Sequence, residues 1–189
     1  MKNIGLFFGS FNPIHFGHLA VAQYFTENTD LEQVWLVISP QSPFKKKKEL
    51  IENHHRLAMV ECAIKGQSKL KACDEEFYLP TPNYTIDTLL HLKKKFPKNQ
   101  FTLLLGADNI ADFDQWKDYT QILDQFSIHV YPRSQSGIVK SEFLNHPKIT
   151  FFKASLLEIS STEIRKALLK GKSVSQWVPP SVSLYFKSL

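Results

Sequence analysis

The 189-residue sequence predicts an α/β fold, an open parallel sheet with helices on both faces. Three observations lead there. Apolar runs of strand length alternate with segments of helical period. The first run, Ile4–Phe8, stops at Gly9 and feeds a helix. No repeat, low-complexity tract or linker divides the sequence, so residues 1–189 read as one domain.

The elements follow in order. Ile4–Phe8 reads as a buried strand, and His18–Thr26 as a helix with Leu19, Ala22 and Phe25 on one stripe. Val34–Ile38 is a second buried strand, stopped by Ser39-Pro40 and a loop through Pro43. Asn53–Ile64 is helical, with Leu57, Val60 and Ile64 on one face, and Leu70–Cys73 is a short strand. Thr85–Phe96 is an amphipathic helix whose last turn carries Lys93–Lys95, where the helix dipole favours cations. Phe101–Leu105 is the strongest strand and runs straight into Gly106-Ala107-Asp108. Ile122–Gln125 reads as helix, Ser127–Tyr131 and Ile149–Phe152 as strands, and Ser161–Leu169 and Val182–Phe186 as helices. Gly137–Pro147 reads as a long surface loop.

The formal charge is +5, and seven of the lysines fall in two runs, Lys45–Lys48 and Lys93–Lys95. Such a balance suits nucleic acid or small polyanions such as nucleotides, or simply a solvated surface. A nucleic-acid module would interleave aromatic residues with its lysines, and Lys45–Lys48 has only Phe44 beside it, so no nucleic-acid partner is expected. Cys62 and Cys73 have no metal-type spacing, and Cys62, inside an apolar-periodic segment, reads as a buried small hydrophobe. The N-terminal apolar run is too short for a signal sequence, and no stretch approaches the ~20 apolar residues that span a bilayer. A cytoplasmic protein without a membrane partner is the expectation, with a homo-oligomer left open.

The chemistry concentrates in Gly9-Ser10-Phe11-Asn12-Pro13-Ile14-His15-Phe16-Gly17-His18, between the first strand and first helix. Ligands of open parallel sheets bind beyond the carboxyl ends of strands. Gly9 permits a sharp turn and close ligand approach, and Pro13 stiffens the loop. The helix start offers unpaired N–H groups to a phosphate. His15 and His18 can serve one anion as donors, although on spacing alone a metal pair or plain surface histidines fit equally. Six fixed positions of ~5% abundance each coincide by chance on the order of 10⁻⁸ per window.

Gly9-x-Phe11-x-Pro13-x-His15-x-Gly17-His18 resembles the signature of the nucleotidyltransferase superfamily, which transfers nucleotidyl groups to small phosphates. A second string, Ile159-Ser160-Ser161-Thr162-Glu163-Ile164-Arg165, resembles that family's phosphate-holding helix start. Read by itself it is a capped helix, with Ser160 and Glu163 as a capping box. The resemblance implies a Rossmann-like sheet of nucleotidyltransferase type. It also implies an ATP site of Gly9, Ser10, Phe11, His15, His18, Ser160, Ser161, Thr162 and Arg165, with His15, His18 and Arg165 catalytic. Mg²⁺ is expected to arrive with ATP. No carboxylate cluster reads as a protein metal site.

Three further places bear on the acceptor. Tyr84-Thr85 opens an amphipathic helix, Gly106 and Asp108 end a strand, and Trp116 offers a flat face. Singly, Thr85 is a helix cap, Asp108 a turn residue and Trp116 core filler. Together they resemble the bacterial nicotinate-mononucleotide adenylyltransferases, over nearly the whole chain. That likeness implies nicotinate mononucleotide as acceptor, held by Lys45, Tyr84, Thr85, Gly106, Asp108, Trp116 and Arg133. Phe8 stands where the family often has a second Gly, and three further features depart from the pattern. Asn12 stands where the family has Asp, Pro43-Phe44-Lys45 matches a Pro-Pro-His-Lys element only in part, and Arg133 replaces a basic pair. Shorter relatives such as pantetheine-phosphate adenylyltransferases lack the Tyr-Thr, Gly-Ala-Asp and Trp set. An inactive nucleotide-binding regulator is the other reading, because of Asn12.

Overall fold

The computed structural model describes residues 1–40, 50–133, 138–154 and 159–188. Six parallel strands form one sheet in the order β3-β2-β1-β4-β5-β6. They are β1 (Lys2–Gly9), β2 (Gln33–Ile38), β3 (Leu70–Cys73), β4 (Asn99–Gly106), β5 (Ser127–Tyr131) and β6 (Ile149–Phe151). Each strand read from the apolar pattern is present. The two central strands, buried over Ile4–Phe7 and Phe101–Gly106, read as largely apolar runs because helices cover both faces.

Side-chain alternation in the strands sorts the core into two layers. Phe7 and Leu36 point to one face, where they meet α1 (Phe16–Asn28), α2 (Asn53–Ile64), α7 (Ser161–Leu169) and α8 (Pro180–Lys187). Ile4, Leu6 and Leu103 point to the other face. There they meet α3 (Thr85–Lys95), α4 (Ala107–Ile110), α5 (Tyr119–Gln125) and α6 (Ser141–Leu144). Helix α8 starts on Pro180, whose fixed φ and missing N–H suit a first helical position. Among the described residues, two 3₁₀ turns, Glu75–Tyr78 and Phe113–Gln115, were not legible in the sequence.

Four expectations need correction. The stretch 137–147 is not all loop, because α6 forms inside it with Phe143 buried. Full burial of such a ring contributes roughly 1.5–3 kcal/mol, enough to hold a single turn that is marginal alone. Helix α1 begins at Phe16, so His18 sits within its first turn. Ser160 precedes α7 but makes no side-chain cap, so the expected capping box is not formed. Cys73 is the buried thiol, whereas Cys62 is half-buried.

The strand order reverses direction at β1 and β4, which lie side by side. Connections leave these two strands toward opposite faces, and a crevice opens at their carboxyl ends. Gly9 ends β1 and Gly106 ends β4, so both glycines sit at that opening.

Candidate active site

An open cleft of about 840 Å³ lies over this switch point. The structure brings Gly9, Ser10, His15, His18, Ser160, Ser161, Thr162 and Arg165 to its walls. Tyr84, Thr85, Gly106, Asp108, Trp116 and Arg133 line it as well. Lys45 lies outside the described residues. Phe11 does not line the cleft among the described residues. Its backbone is left-handed (φ 43°) and its ring turns inward, 1% exposed. A Cβ at Gly9 would come within 2.9 Å of that ring, so glycine here makes room for Phe11 as much as for a ligand.

The Phe11 ring also braces the histidines. It meets His18 edge-on at 5.0 Å, and His18 stacks on His15 with centroids 3.6 Å apart. His15 is the N-cap of α1, its Nδ1 accepting the His18 backbone N–H at 3.3 Å. An imidazole can do this only when Nδ1 is unprotonated, which leaves Nε2–H as the ring's donor. Burial, and then the nearby Arg133 guanidinium, lower the His15 pKa to about 4.

A basic group whose pKa falls on folding takes up protons more readily unfolded. The stability due to neutral His15 is therefore complete above about pH 6.5 and is lost as pH falls toward 4. By pH 5 the loss amounts to about 2 kcal/mol. Urea denaturation at pH 7 and pH 5 measures it, and His15→Gln is expected to shrink the difference by that amount. An unchanged difference would show that His15 is not the titrating group. His129, also lowered by burial, contributes equally in both proteins.

The two sequence signatures meet in space. Arg165 Nη1 donates to the Asn12 carbonyl at 2.9 Å, and Ser161 Oγ donates to the Pro13 carbonyl at 3.2 Å. Arg165 Nη2 also reaches Thr162 Oγ1 at 3.3 Å, which fixes the plane of the guanidinium. The first turn of α7 is thereby fastened onto the β1–α1 loop. Asn12 has a structural task of its own, since its Oδ1 accepts the Ile51 N–H at 3.2 Å. An amide oxygen suffices for that bond, so the missing carboxylate does not undo the loop.

On the opposite wall, Tyr84 precedes α3 and Thr85 is its first helical residue. Neither side chain caps the helix, so its first turn presents backbone N–H groups. Lys117 pairs with Asp87 at 2.9 Å and lies 4.8 Å above the Tyr84 ring, which ties the Trp116 segment to α3. Trp116 is half-buried and packs on Phe113, so it combines core filling with an exposed edge. A Cβ at Gly106 would lie 2.2 Å from Asp108 Oδ1. Glycine therefore lets that carboxylate fold back over the strand end. Asp108 in turn lies 4.0 Å from Arg133, whose Nη2 bonds the Tyr131 hydroxyl at 3.3 Å.

Sequence reasoning missed three buried polar groups, Glu76 and Asn83 on these walls and Arg56 behind them. Arg56 is wholly buried, and Glu76 and Asn83 are nearly so. Burial raises the Glu76 pKa, against the hydrogen bond from Thr88 and the side chain of Ser39. Nothing in the sequence marks them, since each occupies a position that a solvated face would also fill. As to metals, Asp108 and Glu76 are the carboxylates on the cleft walls among the described residues. Among the described residues, the one compact group of ligating side chains, Glu52, His54 and His55, does not line the cleft.

A sheet of this order, with a glycine- and histidine-bearing loop at its switch point, has the architecture of nucleotide-handling α/β proteins. The Cytidylyltransferase-like family model matches residues 6–167. A probable nicotinate-nucleotide adenylyltransferase of Christiangramia forsetii is 47% identical over 188 residues, covering 100% of this chain and 97% of its own. One from Flavobacterium psychrophilum is also 47% identical, covering 96% and 94%. The chain belongs to the nicotinate-nucleotide adenylyltransferase family. Among solved structures it resembles the Plasmodium falciparum nicotinic acid mononucleotide adenylyltransferase complexed with NaAD. The TM-score is 0.82 at 26% identity, covering 100% of this chain and 96% of that one. No described helix is long and apolar enough to cross a membrane.

Proposed function

We propose that this chain transfers the adenylyl group of ATP to nicotinate mononucleotide, giving nicotinate adenine dinucleotide and pyrophosphate in the cytoplasmic synthesis of NAD. One observation carries the proposal: Arg165 and Ser161 are bonded to the backbone of the Gly9–His18 loop. That union forms a phosphate site from two parts that are individually weak. The family relationship supports the acceptor.

In this reading residues 1–189 act as one unit. An oxygen of the acceptor's phosphate attacks the α-phosphorus of ATP. The bond from that phosphorus to the bridging oxygen of the β-phosphate breaks, and pyrophosphate leaves with the electron pair. No side chain becomes a nucleophile, because the acceptor already is one. Neutral His15, through Nε2–H, and His18 hold the α-phosphate oxygens as negative charge shifts among them. Ser160, Ser161, Thr162 and Arg165 receive the β- and γ-phosphates at the start of α7. The N–H groups at Tyr84 and Thr85 receive the nicotinate carboxylate, Trp116 takes the ring, and Gly106 and Asp108 border the nucleotide. Arg133, and Lys45 from outside the described residues, are assigned to acceptor phosphate. Mg²⁺ arriving with ATP would neutralise charge on the leaving group, and Asp108 is a cleft carboxylate that could help to hold it.

Purified protein given Mg²⁺-ATP and either nicotinate or nicotinamide mononucleotide should release pyrophosphate, faster with the nicotinate form. Release with neither would refute the assignment.

A further inference from the structure

Arg56, in the first turn of α2, is 0% exposed and binds four neutral acceptors. Nη1 donates to the carbonyls of Ser10 at 2.6 Å and Ser39 at 2.8 Å. Nε donates to the Ile51 carbonyl at 3.0 Å, and Nη2 to the Asn53 side chain. Desolvation lowers its pKa only to about 10, so it remains a cation at neutral pH. Burying a charge is costly unless its hydrogen bonds are met, and backbone carbonyls meet these.

The bonded partners belong to different substrate walls. Ser10 lies in the phosphate loop. Ser39 follows β2, and its side chain faces the Glu76 carboxyl, whose pKa it helps to lower against burial. Glu76 Oε1 accepts from Thr88 Oγ1 at 2.7 Å, and its carbonyl accepts from Asn83 Nδ2 at 3.1 Å. Thr88 and Asn83 flank Tyr84-Thr85. A row of adjoining polar groups thus runs from the phosphate loop through buried Arg56, half-buried Ser39 and buried Glu76 to the acceptor wall.

We propose that Arg56 is a positioning residue for adenylyl transfer, holding the phosphate loop and the acceptor wall at the separation that in-line attack requires. The inference rests on the adenylyl-transfer reading above. A displacement of about 1 Å between reacting groups can cost on the order of 10²-fold in rate. Lysine keeps the charge but lacks the rigid fork that reaches several carbonyls together.

Arg56→Lys is expected to lower kcat about 10–100-fold. KM for each substrate, and binding of each substrate alone by calorimetry, should stay within about threefold. A merely structural role would lower the melting temperature and the folded fraction and leave kcat per folded molecule intact. Normal kcat per folded molecule, or a loss matched by weaker binding of one substrate, overturns the inference. Should Arg56→Lys not fold, Ser39→Ala cuts the same row beyond Arg56 without adding bulk. It is expected to lower kcat several-fold with little change in melting temperature, and unchanged kcat overturns the inference. The wild-type protein is assayed first. No turnover there counts against adenylyl transfer itself, whereas normal turnover in the variants counts against positioning alone.

Discussion

His18→Ala is expected to lower kcat about 10²–10³-fold, the usual cost of removing one preorganised donor from a transition-state oxyanion. The fold should survive. His18 is half-exposed in the first turn of α1, alanine is the best helix former, and the His15 cap uses the His18 backbone rather than its ring. Loss of the 3.6 Å stack on His15 leaves that ring held by its own bond to the helix start. Pyrophosphate release and thermal melting measured on the same sample separate the two effects. Near-normal turnover would take His18 out of the mechanism.

Arg165→Ala is expected to lower kcat/KM for ATP about 10²-fold, corresponding to about 2.7 kcal/mol. The guanidinium joins Asn12 and Thr162, so its removal takes away a phosphate counter-charge and one fastening of the β1–α1 loop. Arg165→Lys should recover only part of the loss, because one ammonium does not reproduce a planar fork. The deficit should fall on ATP and leave KM for the mononucleotide nearly unchanged. A deficit carried mainly by the mononucleotide would place Arg165 on the other substrate.

Strands and cleft were legible in the sequence for the same physical reason. Sheets buried on both faces need apolar runs, and sharp turns at their carboxyl ends need glycine, so Ile4–Phe8 with Gly9 and Phe101–Leu105 with Gly106 stand out. The residues read as an ATP and acceptor site converge on one cleft, apart from Phe11 and Lys45. Phe11 shows the limit of a motif, which records that a residue is needed without recording which way its ring turns. Arg56 and Glu76 were illegible because their importance lies in burial. Their neighbours His54 and His55, or Glu75, are ordinary polar companions in the sequence. Helix α6 was missed because a single turn carries no period, and one buried ring decides it.

The bonds from Ser161 to Pro13 and from Arg165 to Asn12 span 148 and 153 residues. During synthesis the β1–α1 loop leaves the ribosome among the first residues, yet its fastening waits until most of the chain has followed. Contacts of such long sequence separation carry a large loop-closure cost and form late. The nascent protein can therefore pair its early strands while its site is still incomplete. In the proposed reading, competence to bind the triphosphate arrives only with the last third of the chain.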